Sequence, residues 1–219
     1  MAVIDPGPDV ENHVRALASE LAAADEVFVV LTHGHADHAG AAQRLAEAVG
    51  GEVWGPQGID VVDRVLSHGD VVDTDEGALV AVHTPGHTVE HLCFHWRERS
   101  AVFAGDLVLG EGDTTWVAEY PGCVADYLES LEAVRRLEVS VIYPAHGAPL
   151  VDPIEVLNRF AEHRTERIEQ VREAMSSHPD AGLDQLLDIV YGDKVSGRIR
   201  APARMSLSAL MDYVRTAEG

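Results

Sequence analysis

One short segment restricts the folds open to this chain more than any other. Residues 27–31 are an apolar run typical of a buried β-strand, and the segment THGHADH (residues 32–38) follows that run directly. Three imidazoles and one carboxylate therefore leave the end of a strand within six positions. Imidazole nitrogens and carboxylate oxygens are ligands that suit divalent ions such as zinc. The segment predicts a strand that ends in a metal-binding loop.

The spacing within this loop indicates two metal positions. His33 and His35 are two residues apart, so on extended backbone their side chains leave on the same side and can hold one ion, while Asp37 and His38 face a second. Further ligands are expected at three glycine-containing turns that follow apolar runs. These are His87 in TPGHT, Asp106 in AGD and His146 in PAHG.

The hydrophobic pattern predicts an α/β chain with a helical end. Apolar residues at helical spacing predict helices over residues 10–24, 39–49 and 127–137, and short apolar runs predict strands over residues 27–31, 52–54, 79–82, 92–96, 101–104 and 139–143. Asp152 followed by Pro153 is a helix start, with an acidic N-cap and proline in the first helical position. We expect that helix to run to about Ser177, followed by helices over 183–191 and 205–216. The predicted domains are therefore a catalytic domain over 1–151 and a helical region over 152–219.

Composition limits the compartment and the partners. At 219 residues the chain can form one large domain, or one domain with an appendage. No apolar run approaches the roughly 20 residues of a membrane-spanning helix, and residues 1–6 lack the basic start and apolar core of a secretory signal. We therefore expect a cytoplasmic protein with no membrane partner. Two isolated cysteines, Cys93 and Cys123, are expected to be reduced packing residues.

The net charge disfavours one class of partner. The chain has 37 acidic and 16 basic side chains, a formal net charge of −21 at pH 7. Such a field repels polyanions, and nucleic-acid affinity depends largely on neutralising phosphates. A small-molecule substrate is therefore favoured over nucleic acid. Two further explanations of this composition stay open. A GC-rich genome would account for the use of arginine in place of lysine, and a halophilic source would account for the acid excess.

The four motifs HGHADH, TPGHT, AGD and PAHG, in this order, resemble the metallo-β-lactamase superfamily. The resemblance implies a four-layer αβ/βα sandwich and hydrolysis by a water held between two zinc ions. It also implies that Asp5 orients a ligand histidine, and that Asp37 and Asp106 take part in catalysis. The implied ligands for two zinc ions per chain are His33, His35 and His87 for one ion, Asp37, His38 and His146 for the other, and Asp106 between them.

Two histidines refine this resemblance. Members of the superfamily that use paired iron for redox chemistry carry glutamate at the position of His35, so His35 favours zinc hydrolase chemistry. His91, four residues after His87, is a further catalytic candidate. Three roles stay open for His91, namely relay of a proton to the leaving group, orientation of a ligand, and packing in the core.

The segments GDLVLGEG (105–112), DYLESL (126–131) and HRTER (163–167) resemble one branch of the superfamily. That branch contains the β-lactamase-like endoribonuclease and proteins labelled hydroxyacylglutathione-hydrolase-like, and it implies a winged-helix-like C-terminal region. It also implies N-terminal strands before Asp5 that this sequence lacks. We therefore expect an unpaired sheet edge. Either residues upstream of Met1 or another subunit in an oligomer would cover this edge.

Three functions follow. The first is a zinc-dependent hydrolase of a small ester or thioester, the second a single-stranded RNA endonuclease, and the third an inactive truncated scaffold. RNA binding would need a basic groove formed by arginines of the C-terminal region. The alternative is that these arginines form ion pairs with glutamates at helix spacing. The candidate residues are Arg159, Arg164, Arg167, Arg172, Arg198, Arg200 and Arg204 for the groove, and Glu162, Glu166, Glu169 and Glu173 for the pairing. Net charge ranks the small-molecule hydrolase first.

Overall fold

The computed structural model describes residues 1–192 and 195–217. Its strands form two sheets. The first sheet is parallel, in the order β1 (Ala2–Ile4), β2 (Phe28–Val30), β3 (Glu52–Gly55) and β4 (Arg64–Val65). The second sheet has antiparallel neighbours except for its last, parallel pair, in the order β5 (Val71–Thr74), β6 (Gly77–His83), β7 (Leu92–Trp96), β8 (Ala101–Gly105) and β9 (Val141–Pro144).

The helices follow the sequence pattern, although several boundaries differ. The first ends at Leu21 rather than at 24, and the helix predicted over 127–137 spans Cys123–Arg135. They are α1 (Glu11–Leu21), α2 (Ala36–Ala39), α3 (Ala42–Val49), α4 (Cys123–Arg135), α5 (Pro153–Ser177), α6 (Leu183–Tyr191) and α7 (Arg200–Ala217). The helix predicted over 39–49 is interrupted near Gly40, because the metal-motif loop ends in the separate short helix α2. The last helix begins at Arg200 rather than at 205. Strands β1, β4 and β5 were not predicted.

Three apolar layers divide the molecule into four structural layers. Between the first sheet and helices α1 and α3 lies a cluster that includes Val29 and Leu45. A second cluster, with Trp54 and Phe94, fills the space between the two sheets. The third and largest lies between the second sheet and helices α4 to α7. This αβ/βα arrangement confirms the four-layer sandwich predicted from the sequence.

The C-terminal helices share their core with the second sheet. Phe160 on α5 and Leu207 on α7 are almost completely buried, in one cluster with Val102 of β8 and Leu131 of α4. Residues 153–192 and 195–217 contain helices but no strand of a wing. The segment expected to separate the last two helices includes Asp193 and Lys194, which lie outside the described residues. None of the helices in the described part is long and apolar enough to cross a membrane.

Strand β1 is an unpaired edge, as the sequence predicted. Within the described chain it pairs only with β2, and its free side opens onto a trench between the sheets. Two connected cavities of about 270 and 550 Å³ form this trench, and both are lined by Ala2, Ile4 and Phe103. Phe103 also stacks between Trp96 and Tyr143, with ring centroids 5.9 and 5.3 Å away. The larger cavity reaches the loop ends that carry the histidine motifs.

The shared core predicts that shortening one buried side chain of α5 destabilises the whole molecule. We expect Phe160→Ala to lower the free energy of unfolding by about 3–5 kcal/mol, because it opens a cavity in the largest apolar cluster. Urea denaturation followed by circular dichroism measures this loss. The control Ile154→Ala, on the same helix but 51% exposed, should change stability by only about 0.5 kcal/mol. A separate early transition for α5 to α7 would contradict the shared core.

Candidate metal centre

The predicted ligands meet because each follows the carboxyl end of a strand. His33, His35, Asp37 and His38 follow β2, and His87 lies between β6 and β7. Asp106 follows β8 directly, and His146 comes two residues after β9. Strands β6, β8 and β9 run in the same direction, so their carboxyl ends meet at one edge of the sheet. The fold therefore brings residues more than 100 positions apart into one cluster.

The first group consists of His33, His35 and His87. His35 Nδ1 lies 3.0 Å from Nε2 of both His33 and His87. The other ring nitrogen of each histidine meets a hydrogen-bond acceptor. His87 Nδ1–H donates to the carbonyl of Trp116 at 2.8 Å, and His35 Nε2–H donates to Glu119 at 2.8 Å. The nitrogens that face one another are then unprotonated, and three lone pairs converge in the way that a bound cation requires.

The tautomer of His33 follows from a hydrogen-bond chain. The Thr32 hydroxyl has a single hydrogen, which it donates to Asp5 Oδ2 at 2.6 Å. Its oxygen is then free to accept, so His33 Nδ1–H donates to it at 2.9 Å. The Nε2 atom of His33 therefore carries the lone pair that faces the first group.

The second group consists of Asp37, His38 and His146. His146 Nε2 lies 3.3 Å from Asp37 Oδ2, and His38 Nε2 lies 3.8 Å from the same oxygen. Asp106 stands between the two groups. Its Oδ2 atom is 3.5 Å from Nε2 of both His38 and His87, and its Oδ1 atom is 3.5 Å from His146 Nε2. One carboxylate thus faces ligands of both groups.

Asp5 connects the two groups from behind. Its Oδ1 accepts the backbone N–H of Thr32 at 2.8 Å, and its Oδ2 accepts Nδ1–H of His38 at 2.8 Å. Asp5 has φ of +48°, an uncommon backbone conformation for a residue other than glycine. The contacts match the orienting role that the resemblance implied for this residue.

Burial and charge set the protonation of the cluster. Burial lowers the pKa of His33 and of His87 below the ordinary value, and neighbouring imidazoles lower that of His33 further. Burial also lowers the pKa of His38, but the carboxylates of Asp106 and Asp5 outweigh it and raise the pKa to about 10. Without a bound cation, both ring nitrogens of His38 are therefore protonated at neutral pH.

The donor set fits a divalent cation. Among the described residues, the buried atoms His38 Nε2 and Asp106 Oδ1 have no hydrogen-bond partner. Orphaned buried polar atoms are costly unless something satisfies them. Both atoms face the interior of the cluster, next to the converged imidazoles. Nitrogen and carboxylate donors in this arrangement could hold two borderline-soft cations.

His91 is enclosed in the core, and this position does not favour the proton-relay role. Its side chain is completely buried, and burial lowers its pKa to about 3. Nδ1–H donates to the Thr84 hydroxyl at 2.9 Å, and Nε2 accepts the backbone N–H of Asp106 at 3.2 Å. A Cβ on Gly105 would lie 2.6 Å from His91 Nε2, so this approach requires glycine there. The geometry instead fits the alternative that His91 orients a ligand.

A close contact between two turns holds His146 beside Asp106. Gly147, at φ of +91°, packs against Gly110, whose Cα would lie 2.7 Å from a Cβ on Gly147. The Gly110 N–H donates to the carbonyl of His146 at 2.7 Å. The turn after β9 is thereby tied to the loop after β8.

Sequence reasoning missed several partners of the ligands. Three groups hold the tautomers of three histidines, namely Glu119, Thr32 and the carbonyl of Trp116. Neither Glu119 nor Trp116 lies in a pattern that indicates this role. Thr32 alone had a local signal, because it begins the histidine motif. Glu119 lies 84 residues from His35, so only the folded chain brings the two together.

Several of the arginines proposed for a basic groove are buried or have other partners. Arg164 is buried, with 3% of its surface exposed. Arg200 pairs with Asp188 at 2.8 Å, and Arg204 with Asp184 at 3.1 Å. The pairing predicted at helix spacing is seen for Arg172 with Glu169, whereas Arg167 donates to Gln170.

Comparison with known proteins agrees with the geometry. The sequence profile described as "Metallo-beta-lactamase superfamily" matches residues 2–146. The chain belongs to the metallo-β-lactamase superfamily. It is similar to the Beta-lactamase-like protein 2 homolog of Caenorhabditis elegans, with 29% identity over 203 residues, 87% of this chain and 67% of that protein. The family and the relatives' names assign the chain to the metal-dependent hydrolases.

Two further superfamily members extend the comparison. One relative is the Atrochrysone carboxyl ACP thioesterase AgnL7 of Paecilomyces divaricatus, 31% identical over 198 residues, 85% of this chain and 60% of that protein. A solved structure, a Beta-lactamase domain protein from Burkholderia ambifaria, matches with a TM-score of 0.80 at 20% identity and shares the fold. The match covers 99% of this chain and 77% of the Burkholderia ambifaria chain. The chain thus spans about two thirds or less of the length of these curated relatives.

The raised pKa of His38 predicts pH-dependent cation binding. Because a cation at Nε2 must displace the proton, apparent affinity should rise with pH up to about pH 10, about tenfold per pH unit for one proton. Titration calorimetry with zinc, in buffers of different ionisation enthalpy, counts the released protons. Asp5→Asn removes one of the anionic partners and should reduce the dependence. Affinity that does not change over this range would contradict the assignment.

The contact between Glu119 and His35 predicts selective weakening of the first group. We expect Glu119→Gln to weaken cation binding there by about 10–100-fold while sparing the second group, since the carboxylate fixes the His35 tautomer. Titration with cobalt, followed by visible absorption, resolves the two binding steps. Glu129→Gln, an exposed change on α4, is the matched control. Equal weakening of both steps would contradict a local role.

Proposed function

We propose that this chain is a zinc-dependent hydrolase that acts on a small ester or thioester, similar in chemistry to hydroxyacylglutathione hydrolases. The observation that carries the proposal is the placement of Asp106, whose two carboxylate oxygens face histidines of both groups. In this proposal each group holds one zinc ion, and Asp106 lies between the ions. The ligands are His33, His35 and His87, then Asp37, His38 and His146.

Divalent cations in such a site lower the pKa of coordinated water towards neutrality and polarise a carbonyl oxygen. The protein residues prepare the site for this chemistry. Thr32, Glu119 and the carbonyl of Trp116 fix the imidazole tautomers of the first group, so its lone pairs are oriented before any cation arrives. Asp5 orients the ring of His38, which gives up a proton when the cation binds. Preorganised donors of this kind need no rearrangement during the reaction.

The exposed ligands mark the side from which substrate enters. The side chains of Asp37 and His146 are 57% and 49% exposed, whereas that of His38 is 1% exposed. The cavity of about 550 Å³ opens on this side and is lined by Asp37, His38 and His146. In this proposal a substrate enters beside Asp37, and the Asp37 carboxylate accepts a proton during hydrolysis. We assign catalytic roles to Asp37 and Asp106.

Several observations favour a neutral or weakly charged thioester. One relative has the name of an acyl-carrier-protein thioesterase, which supports this bond type as the substrate class. The net charge of −21 disfavours polyanions. Of the arginines that could form an RNA groove, Arg164 is buried, and Arg200 and Arg204 pair with aspartates. These contacts argue against RNA and leave it as an outcome for the assay.

The proposal predicts thioester hydrolysis that depends on Asp106. Zinc-loaded protein should hydrolyse an acyl thioester and leave a fluorescent single-stranded RNA intact. Asp106→Ala should lower kcat/KM by at least about a hundredfold, because both ligand groups lose their shared carboxylate. The control Asp180→Ala removes an exposed carboxylate between α5 and α6 and should keep full activity. RNA cleavage without thioester turnover would reverse the substrate assignment.

Metal content tests the remaining alternative. Elemental analysis of the purified protein should find about two zinc ions per chain, and Asp106→Ala should hold fewer. Protein that binds no zinc after dialysis against the metal would instead support an inactive scaffold. Iron-loaded protein in the same assay separates zinc from iron chemistry.

A further inference from the structure

We infer that Arg164, on the C-terminal helix α5, is a positioning residue that holds the loop over residues 106–122 in the geometry required for cation binding. This inference rests on the proposed metal centre. Arg164 does not contact any of the seven candidate ligands in the described structure. It acts through Thr115 and Tyr127, which lie between α5 and the ligands.

Arg164 is an unusual residue to bury. Its side chain is 3% exposed, and no carboxylate among residues 1–192 and 195–217 forms an ion pair with it. Its Nε atom has no hydrogen-bond partner in that part of the chain. Removing an unpaired guanidinium from water is costly. A buried charge without a counter-ion therefore needs a specific reason, and its two contacts supply one.

The first contact leads to ligands of both groups. Arg164 Nη2 donates to the carbonyl of Thr115 at 3.1 Å. The hydroxyl of the same threonine donates to the carbonyl of Asp106 at 2.8 Å. The next carbonyl along the chain, that of Trp116, accepts Nδ1–H of His87. One guanidinium hydrogen bond thus fixes the two-residue segment that positions both Asp106 and His87.

The second contact reaches the same place from the other side. The guanidinium lies over the ring of Tyr127, with 5.2 Å between Cζ and the ring centroid. The hydroxyl of Tyr127 donates to the carbonyl of Leu107 at 3.1 Å. Leu107 is the residue after Asp106, so hydrogen bonds hold the two consecutive carbonyls of Asp106 and Leu107. A planar cation can donate to Thr115 and lie on the ring together, which an ammonium group does less well.

The test separates positioning from simple packing. We would prepare Arg164→Met, Arg164→Lys and the control Arg159→Met, which removes an exposed arginine from the same helix. Cobalt titration with visible spectroscopy reports cation affinity and ligand geometry, and urea denaturation reports stability. We expect Arg164→Met to weaken cobalt binding about 10–100-fold with an altered spectrum, Arg164→Lys to recover only part of the loss, and Arg159→Met to match the wild type.

A second pair of variants serves in case Arg164→Met fails to fold. Thr115→Val removes only the hydroxyl that holds Asp106, whereas Thr115→Ser keeps it. Weaker cobalt binding in Thr115→Val but not in Thr115→Ser would support the inference. Wild-type affinity and spectrum in Arg164→Met, or in Thr115→Val if the first variant is unfolded, would overturn it. Failure of the wild-type chain itself to bind two cations would instead overturn the proposed function.

Discussion

The hydrogen bonds to the Asp5 carboxylate are the interactions on which the rest of the site depends. One side chain accepts a backbone N–H, a hydroxyl and an imidazole N–H. Through Thr32 it fixes His33 of the first group, and directly it fixes His38 of the second. Three donors on one carboxylate compensate for its burial and its left-handed backbone. A single residue thereby orients one ligand of each group, both from the same histidine motif.

The ligands could be predicted from the sequence because their information is local. A strand followed by closely spaced histidines limits where those side chains can point, and a glycine turn after an apolar run places His87, Asp106 or His146 at a strand end. The long helix α5 was predictable for the same reason, since Asp152 and Pro153 begin it. The two-residue strand β4 had no such signal, because Arg64 and Val65 are both exposed and show no alternation.

Partners that act across the fold could not be predicted in this way. Glu119 meets His35 only after the loop following β8 folds over the site. Arg164 was a candidate for a basic surface or a helix ion pair, yet it is buried against Tyr127. Nothing in the helical pattern distinguishes a buried arginine from an exposed one at the boundary of an apolar face. Such roles depend on long-range packing, which periodicity does not describe.

The position of Asp5 has a consequence for the sheet edge. Among residues 1–192 and 195–217, strand β1 pairs with β2 alone, and it ends one residue before Asp5. Detachment of this strand and release of the carboxylate are therefore a single opening event. Cation occupancy and strand pairing are then linked equilibria, and the coupling is reciprocal. Any strand that pairs with the free edge of β1 strengthens cation binding by the same factor by which the cation strengthens that pairing.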